Sequence, residues 1–320
     1  MPSSPEILLL ALALDALIGD PAALYARLPH PVVVIGRSID GLDRRLNRAH
    51  DALAMRRAAG IAACLVLVIL SLGIGWLLHR SLAALPGGWV AEALLISAFL
   101  AQNSLYRHVA AVARGLHEEG LAGGRRAVAR IVGRDPESLD EAGVSRAALE
   151  SLAENFSDGV TAPLFWALIL GLPGIIAYKA VNTADSMIGH RTPRHLAFGW
   201  ASARLDDLLN LIPARLAGLA LAAAALLLPG MSAPGALRAM ARDARRHRSP
   251  NAGWPEAAMA GALGLAFAGP RRYQGEIVED HWMNADGRRD ATAVDIRRGL
   301  TLYLGACAIQ AALVAILAIL

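Results

Sequence analysis

Residues 58–78 read AAGIAACLVLVILSLGIGWLL, a run without a charged side chain. About 20 apolar residues are enough for a helix to cross a bilayer, so this run predicts a membrane-spanning helix. Three further runs approach the same length, at 89–113, 208–228 and 300–320. We therefore expect at least three membrane-spanning helices.

The composition of the whole chain points to the same class of protein. Of its 320 residues, 55% are hydrophobic and only 18% are charged, which is too apolar for an average soluble domain. The net charge of +4 derives from arginine, because Lys179 is the only lysine. In a membrane protein this surplus indicates loops on the cytoplasmic side, and nucleic-acid binding is a distant second interpretation. The arginine-rich loops are at 37–57, 114–146, 191–204, 238–248 and 271–298.

Two apolar segments do not fit a simple crossing. A span at 208–228 would leave the arginines of 238–248 outside, so we favour a non-crossing or re-entrant element there over an exception to the charge rule. The segment 158–189 is interrupted by Leu172-Pro173-Gly174, which predicts a re-entrant hairpin or buried helices. The fold class is therefore all-α. We expect a polytopic integral membrane helical protein with cytoplasmic helical loops and re-entrant or broken helices, in one domain over 1–320.

Several common sites and signals are missing from the sequence. The stretch 7–18 has neither the basic region nor the cleavage site of a secretory signal, so we expect it to stay in the mature protein. Cys64 and Cys307 lie in apolar runs without a second thiol or a histidine pair nearby, which supports neither a disulfide nor a zinc site. Because no P-loop motif occurs, any nucleotide is bound in another way.

The most informative polar stretch is 178–191, YKAVNTADSMIGHR, in an otherwise apolar neighbourhood. Ionisable groups at membrane depth are functional candidates by default, because their burial is costly. A lysine can hold a phosphate, while Asn and Asp oxygens can hold magnesium. The alternative is a structural ion pair between Lys179 and Asp185. An α-helix turns by about 100° per residue, which places five side chains of this stretch on one stripe of the helix. They are Lys179, Asn182, Thr183, Ser186 and His190, with Asp185 at the edge of the stripe.

A second polar group lies just upstream. Glu150, Glu154 and Asp158 follow at i, i+4 spacing if the helix continues that far, with Asn155 beside them. Carboxylates on one helix face repel each other unless a cation lies between them, and magnesium suits such oxygen ligands. The alternative is a set of surface charges neutralised by Arg146.

Smaller groups contain further candidates, each as readily structural as catalytic when taken singly. One helix face carries an aspartate and an asparagine at i, i+4 spacing, preceded by an arginine. A turn-rich loop precedes an alanine-rich helix, at whose N-terminus anions bind readily. Two rigid proline turns near the N-terminus each hold one ionisable side chain. The side chains of these groups are Arg204, Asp206, Asp207, Asn210, Asn251, Glu256, Asp20 and His30.

Read together, these stretches resemble the CobD/CbiB family of cobinamide-phosphate synthases. Any one block is weak evidence, but six blocks in order along nearly the whole chain are specific. They are G-D-P with P-H-P-V-x-x-I-G at 19–36, G-R-D-P through S-D-G at 133–159, A-P-L-F at 162–165, Y-K-A-V-N-T-x-D-S-M-I-G at 178–189, F-G-W-A-S-A-R-x-D-D at 198–207 and S-P-N-A-G-W-P-E-A-A-M-A-G-A-L at 249–263.

The resemblance implies a ligase of cobalamin biosynthesis in the inner (cytoplasmic) membrane, with its active site facing the cytoplasm. Such an enzyme uses ATP and Mg²⁺ to join (R)-1-aminopropan-2-yl phosphate to adenosylcobyric acid, which gives adenosylcobinamide phosphate. Its expected partners are those two substrates, membrane lipid and other late corrin-pathway membrane enzymes, without nucleic acid. A membrane corrinoid transporter is the main rival, since intramembrane ionisable groups also mark transport pathways. A non-catalytic scaffold is a third hypothesis.

The resemblance supplies positions, and side-chain chemistry suggests roles for them. An amide ligation needs cations where negative charge develops, a base for the amine proton and a cation for the phosphate of the amine. The expected catalytic residues are Lys179, Asp185, His190 and Glu154. The expected substrate-binding residues are Asn155, Asn182, Ser186, Arg191, Arg204, Asn251, Glu256 and His30. The expected metal ligands are Asp158, Asp185 and Glu154.

Overall fold

The computed structural model describes residues 4–133, 135–269, 271–273, 276–278 and 281–320. In this part of the chain the architecture is almost entirely helical, as predicted. The helices are α1 (Ser4–Leu17), α2 (Ala22–Tyr25), α3 (Pro31–Leu46), α4 (Leu53–Ala83), α5 (Gly88–Ser97), α6 (Gln102–Val128), α7 (Glu141–Phe156), α8 (Ala162–Ile188), α9 (Trp200–Leu209), α10 (Leu211–Leu227), α11 (Ala233–Asp243), α12 (Gly253–Leu263) and α13 (Ala293–Ile319).

Short elements complete the described chain. A π-helical turn, Ser157–Thr161, joins α7 to α8, and 3₁₀ turns occupy Pro136–Ser138 and Ala244–Arg246. Two antiparallel two-stranded ribbons lie between α12 and α13. They pair β1 (Phe267–Ala268) with β4 (Trp282–Met283) and β2 (Arg271–Tyr273) with β3 (Glu276–Val278).

Three helical segments of the described chain are long and apolar enough to cross a membrane: Leu53–Ala83, Glu141–Ile188 and Ala293–Ile319. A fourth is possible if the bent pair α9 and α10 counts as one broken span or a re-entrant loop. The runs 58–78 and 300–320 are therefore confirmed as candidate spans. Leu211–Leu227 is the second half of the bent pair, in agreement with an irregular element at 208–228.

The run 89–113 is not one helix, which corrects the expectation of a fourth simple span. Helix α5 ends at Ser97, where Phe99 and Leu100 donate backbone hydrogen bonds three residues back to Ile96 and Ser97. Such a tightened last turn is common at a helix end. Helix α6 then begins at Gln102 and is amphipathic rather than uniformly apolar.

The chain divides into two compact units, each built from separate stretches. The first comprises 1–101, 162–210 and 314–320, and the second comprises 102–161 and 211–313. The expectation of a single domain over 1–320 stays a prediction.

A sharp reversal divides α8 in the first unit. Gly171 has φ 62° and ψ −148°, close to a region of backbone conformation that only glycine adopts readily. Beyond it, a Cβ on Gly174 would lie 2.3 Å from the carbonyl oxygen of Trp166. Residues eight apart in a straight helix are separated by about 12 Å. The two halves of α8 therefore fold back on each other, which confirms the break expected beside Pro173.

The first unit is held together by close helix contacts at glycine. A Cβ on Gly60 of α4 would meet the carbonyl oxygen of Phe198 at 1.9 Å, and one on Gly75 would meet Cα of Pro173 at 2.5 Å. Small residues allow such backbone approach where lipid gives little hydrophobic driving force between helices. The buried side chains between α3, α4 and α8 are Ile39, Ala63, Leu67, Ala180, Ala184, Ile188 and Phe198.

Close helix contacts at glycine also occur in the second unit. Helices α11 and α12 cross where a Cβ on Gly261 would lie 2.3 Å from the carbonyl oxygen of Gly235. Phe156 and Tyr303 pack edge to face at 5.5 Å, and the Tyr303 hydroxyl donates to the carbonyl oxygen of Gln102 at 3.0 Å. Its buried core is rich in alanine, so these helices approach closely over much of their length.

Candidate functional site

The second half of α8 carries the predicted polar stripe in the first unit. Lys179 and Asn182 are half-buried, while Ser186 and His190 are exposed. The Thr183 hydroxyl donates to the Lys179 carbonyl oxygen at 2.6 Å, and the Ser186 hydroxyl donates to the Asn182 carbonyl oxygen at 2.9 Å. These hydroxyl protons satisfy the helix backbone, so the lone pairs of the hydroxyl oxygens are the part of each group suited to a ligand.

A hydrogen-bonded network joins α8 to α9 beside that stripe. Asn182 Nδ2 donates to Asp206 Oδ1 at 3.3 Å, and Asn210 Nδ2 donates to Asp206 Oδ2 at 3.0 Å. The Tyr178 hydroxyl donates to Asn210 Oδ1 at 2.9 Å. Asp206 and Asn210 are buried, so both carboxylate oxygens of Asp206 are fixed in direction. Each carboxylate oxygen of Asp206 therefore accepts one side-chain hydrogen bond.

Asp185 belongs to the face of α8 that points toward α9, because positions 178, 182 and 185 recur at helical spacing. It interacts electrostatically with Asp207 and with His190. A Cβ on Gly189 would lie 1.9 Å from Asp185 Oδ1, so the carboxylate packs against this glycine. The Lys179–Asp185 ion pair considered from the sequence is disfavoured, since residues six apart on one helix are not surface neighbours.

Three carboxylates thus interact in the first unit, because Asp206 also interacts with both Asp185 and Asp207. Two arginines interact with one member of this group, Asp207. Arg204 Nη1 donates to Asp207 Oδ2 at 3.4 Å, and the charge of Arg191 acts on the same carboxylate. Acidic, amide and guanidinium groups together can position a phosphate with its metal, which is the chemistry expected here.

The loop after α8 is fixed by a network centred on Asp43. Arg194 donates to Asp43 Oδ2 through Nε at 3.1 Å, and Asn47 Nδ2 donates to Asp43 Oδ1 at 2.7 Å. Arg56 Nε in turn donates to Asn47 Oδ1 at 2.8 Å. Burial alone would raise the pKa of Asp43, but the hydrogen bonds from Asn47 and Arg194 and the charges of Arg194 and His195 hold it below its ordinary value. This network anchors the loop that carries His190 and Arg191.

His30 is held at both ring nitrogens. Its Nδ1 accepts from the backbone N–H of Val32 at 3.2 Å, which caps α3, and its Nε2 lies 3.3 Å from Asp20 Oδ1. The ring also packs on Tyr25 at 4.5 Å between centroids. Burial first, and then the charge of Asp20, raises the pKa of the Tyr25 hydroxyl. These contacts give His30 a structural role, and substrate binding by it stays a prediction.

The acidic block of α7 lies in the second unit. Glu150 is buried and accepts from the backbone N–H of Ala268 at 2.8 Å, which holds a residue with φ 60°. Glu154 and Asn155 are exposed, and Asn155 Nδ2 donates to the Ser151 carbonyl oxygen at 2.8 Å. Because α7 ends at Phe156, half-buried Asp158 belongs to the π-helical turn instead of an unbroken stripe.

The loop before α12 is ordered around buried polar groups in the second unit. Arg215 Nη1 lies 3.5 Å from Asn251 Oδ1, and its guanidinium stacks on Trp254 at 4.5 Å from the ring centroid. Glu256 is buried in the first turns of α12, with Oε1 3.9 Å from His247 Nε2. A carboxylate of the protein itself therefore lies near the helix N-terminus expected to attract anions. Binding of substrate by Asn251 and Glu256 stays a prediction.

The metal ligands predicted from the sequence are divided between the units: Glu154 and Asp158 lie in the second and Asp185 in the first. Among the residues that the structure describes, no three His, Cys, Asp or Glu side chains form a group that could hold a metal ion. Magnesium often binds through only one or two carboxylates together with water and substrate phosphates. The oxygen donors near Asp185 fit that mode, and the metal site stays a prediction.

Comparison with known proteins identifies similar chains. The family model described as CobD/Cbib protein matches residues 8–303. The chain is 55% identical over 310 residues to cobalamin biosynthesis protein CobD of Sinorhizobium sp, covering 96% of each chain. It is 51% identical to the protein of that name in Rhizobium meliloti (strain 1021), over 95% of this chain and 94% of the relative. The protein of that name in Rhodobacter capsulatus is 48% identical, over 98% of this chain and 97% of the relative. No solved structure matches.

Proposed function

Since this chain belongs to the CobD/CbiB family of cobalamin biosynthesis proteins, we propose that it is a membrane ligase that forms an amide bond. The proposed reaction joins the amine of (R)-1-aminopropan-2-yl phosphate to the free propionate of adenosylcobyric acid at the expense of ATP. The observation that carries the proposal is the network that holds Asp206 between Asn182 and Asn210, beside Asp185. Asn182, Asp185 and Asp206 come from two of the sequence blocks that resemble the family.

The proposed reaction has two steps. An oxygen of the propionate attacks the γ-phosphorus of ATP, and ADP leaves with the electron pair of the broken P–O bond. The amine then attacks the acyl carbon, and inorganic phosphate leaves as the amide forms. Magnesium, when bound, offsets charge on the phosphates.

Residues of the first unit have chemically distinct roles in this proposal. Lys179 holds a phosphate as a compact charge, and Arg191 and Arg204 supply planar guanidinium groups for phosphate oxygens. His190 is exposed at the end of α8 and accepts the proton that the amine loses. Asp206 acts as a positioning residue, because its two oxygens orient Asn182 and Asn210.

The other predicted residues keep supporting roles in the proposal. Magnesium binding by Glu154 and Asp158, and substrate contact by Asn155, Ser186, Asn251, Glu256 and His30, stay predictions from the sequence. The arginine-rich segment 191–204 follows α8 directly, which supports a site on the cytoplasmic face of the inner membrane.

The proposal is tested with the full-length protein purified in detergent. It is incubated with adenosylcobyric acid, aminopropanol phosphate and Mg-ATP, and the corrinoid product is identified by mass. We expect a product equal to the two substrates less one water, formed only with ATP. Asp206→Asn lowers turnover at least about tenfold through loss of charge-assisted hydrogen bonds, whereas Asp286→Asn, at an exposed carboxylate, does not. Uptake of corrinoid into proteoliposomes without amide formation would contradict the proposal.

A further inference from the structure

A cavity of about 90 Å³ lies in the first unit, beside the reversal of α8. Its walls come from α1, α4, α5 and α8, including Gly171 at the turn of the hairpin. One water needs about 10–15 Å³ of such space, so this cavity can take several waters or a group of a few heavy atoms. The described lining residues with polar or aromatic side chains are Ser4, His79, Trp89 and Glu92.

The cavity contains a buried carboxylate. Glu92 is only 5% exposed, and its Oε1 lies 2.8 Å from His79 Nδ1. The side chain of His79 is 46% exposed, so this imidazole reaches solvent. Glu92 is the only carboxylate among the described lining residues.

A buried carboxylate whose described partner is an imidazole still favours a further cation, because burial of an incompletely compensated charge is costly. Two further features of the wall suit a cation with N–H groups. Ser4 offers a hydroxyl oxygen as a hydrogen-bond acceptor. Trp89 adds an aromatic surface. Among aromatic side chains, tryptophan makes the strongest cation–π interactions.

The position along α4 places the cavity at membrane-interface depth. Arg56 and His79 are 23 residues apart on this helix, which is about 34 Å at 1.5 Å per residue. The hydrocarbon core of a bilayer is about 30 Å thick. Gly60 packs on Phe198 and Gly75 on Pro173, so the end of α4 near the cavity is remote from the loop that follows α8. The cavity is therefore separate from the proposed ligase site.

We propose that this cavity binds a primary ammonium group, with the Glu92 carboxylate accepting its N–H donors and His79 fixing the direction of that carboxylate. A phospholipid head group of the ethanolamine type carries this cation at the depth of the cavity. A soluble small primary amine carries the same chemistry.

The first test measures lipid retention by native mass spectrometry on the full-length protein in detergent. Phosphatidylethanolamine and phosphatidylcholine are added in equal amounts, since both carry a positive nitrogen but only the first has N–H donors. We expect the wild-type protein to retain phosphatidylethanolamine with at least about tenfold preference, which is the effect of one charge-assisted hydrogen bond. We expect the Glu92→Gln protein to lose this preference. Glu6→Gln is the matched control, because Glu6 is exposed on α1 and does not line the cavity.

A second measurement needs no variant and separates the two sources of the amine. A hydrophobic carbodiimide labels Glu92 in the wild-type protein, and peptide mass spectrometry measures the extent. Protection by phosphatidylethanolamine supports the lipid, and protection by ethanolamine alone supports a soluble ligand in the same site. Equal retention of both lipids combined with absence of protection by either amine would overturn the proposal.

Discussion

Replacement of Lys179 by methionine separates phosphate binding from structural ion pairing. Lys179 is half-buried on α8, and its neighbours on the polar stripe include Asn182 and Ser186. Loss of a charge-assisted contact to phosphate costs about 1.5–3 kcal/mol, equivalent to about 10- to 150-fold in kcat/KM. We therefore expect Lys179→Met to be folded and at least tenfold less active.

A structural ion pair gives a different result. Removal of one partner of a buried pair costs about 3–5 kcal/mol of unfolding free energy. Asp185 lies six positions along the same helix, which is the wrong spacing for such a pair with Lys179. We therefore expect Lys179→Met to lower the melting temperature by less than the loss of such a buried pair with Asp185 would.

The assay combines thermal unfolding in detergent with the rate of amide formation at varied aminopropanol phosphate. Lys179→Arg is the matched variant, because it keeps the positive charge but replaces a compact ammonium group with a planar guanidinium group. We expect it to fold normally and to recover part of the lost activity. An unfolded Lys179→Met protein that regains stability when Asp185→Asn is added would refute the binding role.

Three other predictions concern the hairpin, acid stability and magnesium. Gly171→Ala lowers the unfolding free energy by about 1–3 kcal/mol, because alanine is strained in the backbone conformation of Gly171. In the same unfolding assay the control Gly73→Ala, at an open helical position, raises the unfolding free energy by up to about 1 kcal/mol. The depressed pKa of Asp43 contributes stability above the unfolded value near 4. That contribution is lost as pH falls through the folded pKa, so the melting-temperature gap between wild type and Asp43→Asn narrows from pH 5 to pH 3. EDTA abolishes turnover, as does the double change Asp158→Asn and Asp185→Asn. Turnover that survives either treatment contradicts the predicted role of these carboxylates as magnesium ligands.

The sequence predicts the apolar helices well because a span leaves a direct composition signal. The runs 58–78 and 300–320 correspond to α4 and α13, and the break at Pro173 is present, with its reversal at Gly171. The run 89–113 misleads because summed hydropathy does not detect a helix end at Ser97, which is set by a tightened turn.

The candidate site is only partly readable from sequence. Local spacing identifies the face shared by Asp206 and Asn210, but not that it meets Asn182 of α8. The same limit hides the role of Glu150, whose partner is the backbone of Ala268, more than a hundred residues away.

The anchor of the loop after α8 is the clearest omission. Asp43, Asn47, Arg56 and Arg194 meet across more than 130 residues of sequence. No local motif signals this contact, since each residue alone resembles an ordinary charge or amide at a helix end. The pairing follows only from the packing of α3 and α4 with the loop.

Isotope transfer from the substrate carboxylate tests the proposed ligase activity most directly. Adenosylcobyric acid labelled with ¹⁸O in its free propionate is turned over with aminopropanol phosphate and Mg-ATP. Because a propionate oxygen attacks the γ-phosphorus and leaves with it, the account predicts one ¹⁸O in the inorganic phosphate for each amide formed. Amide formation without ATP, or phosphate released without ¹⁸O, would contradict it.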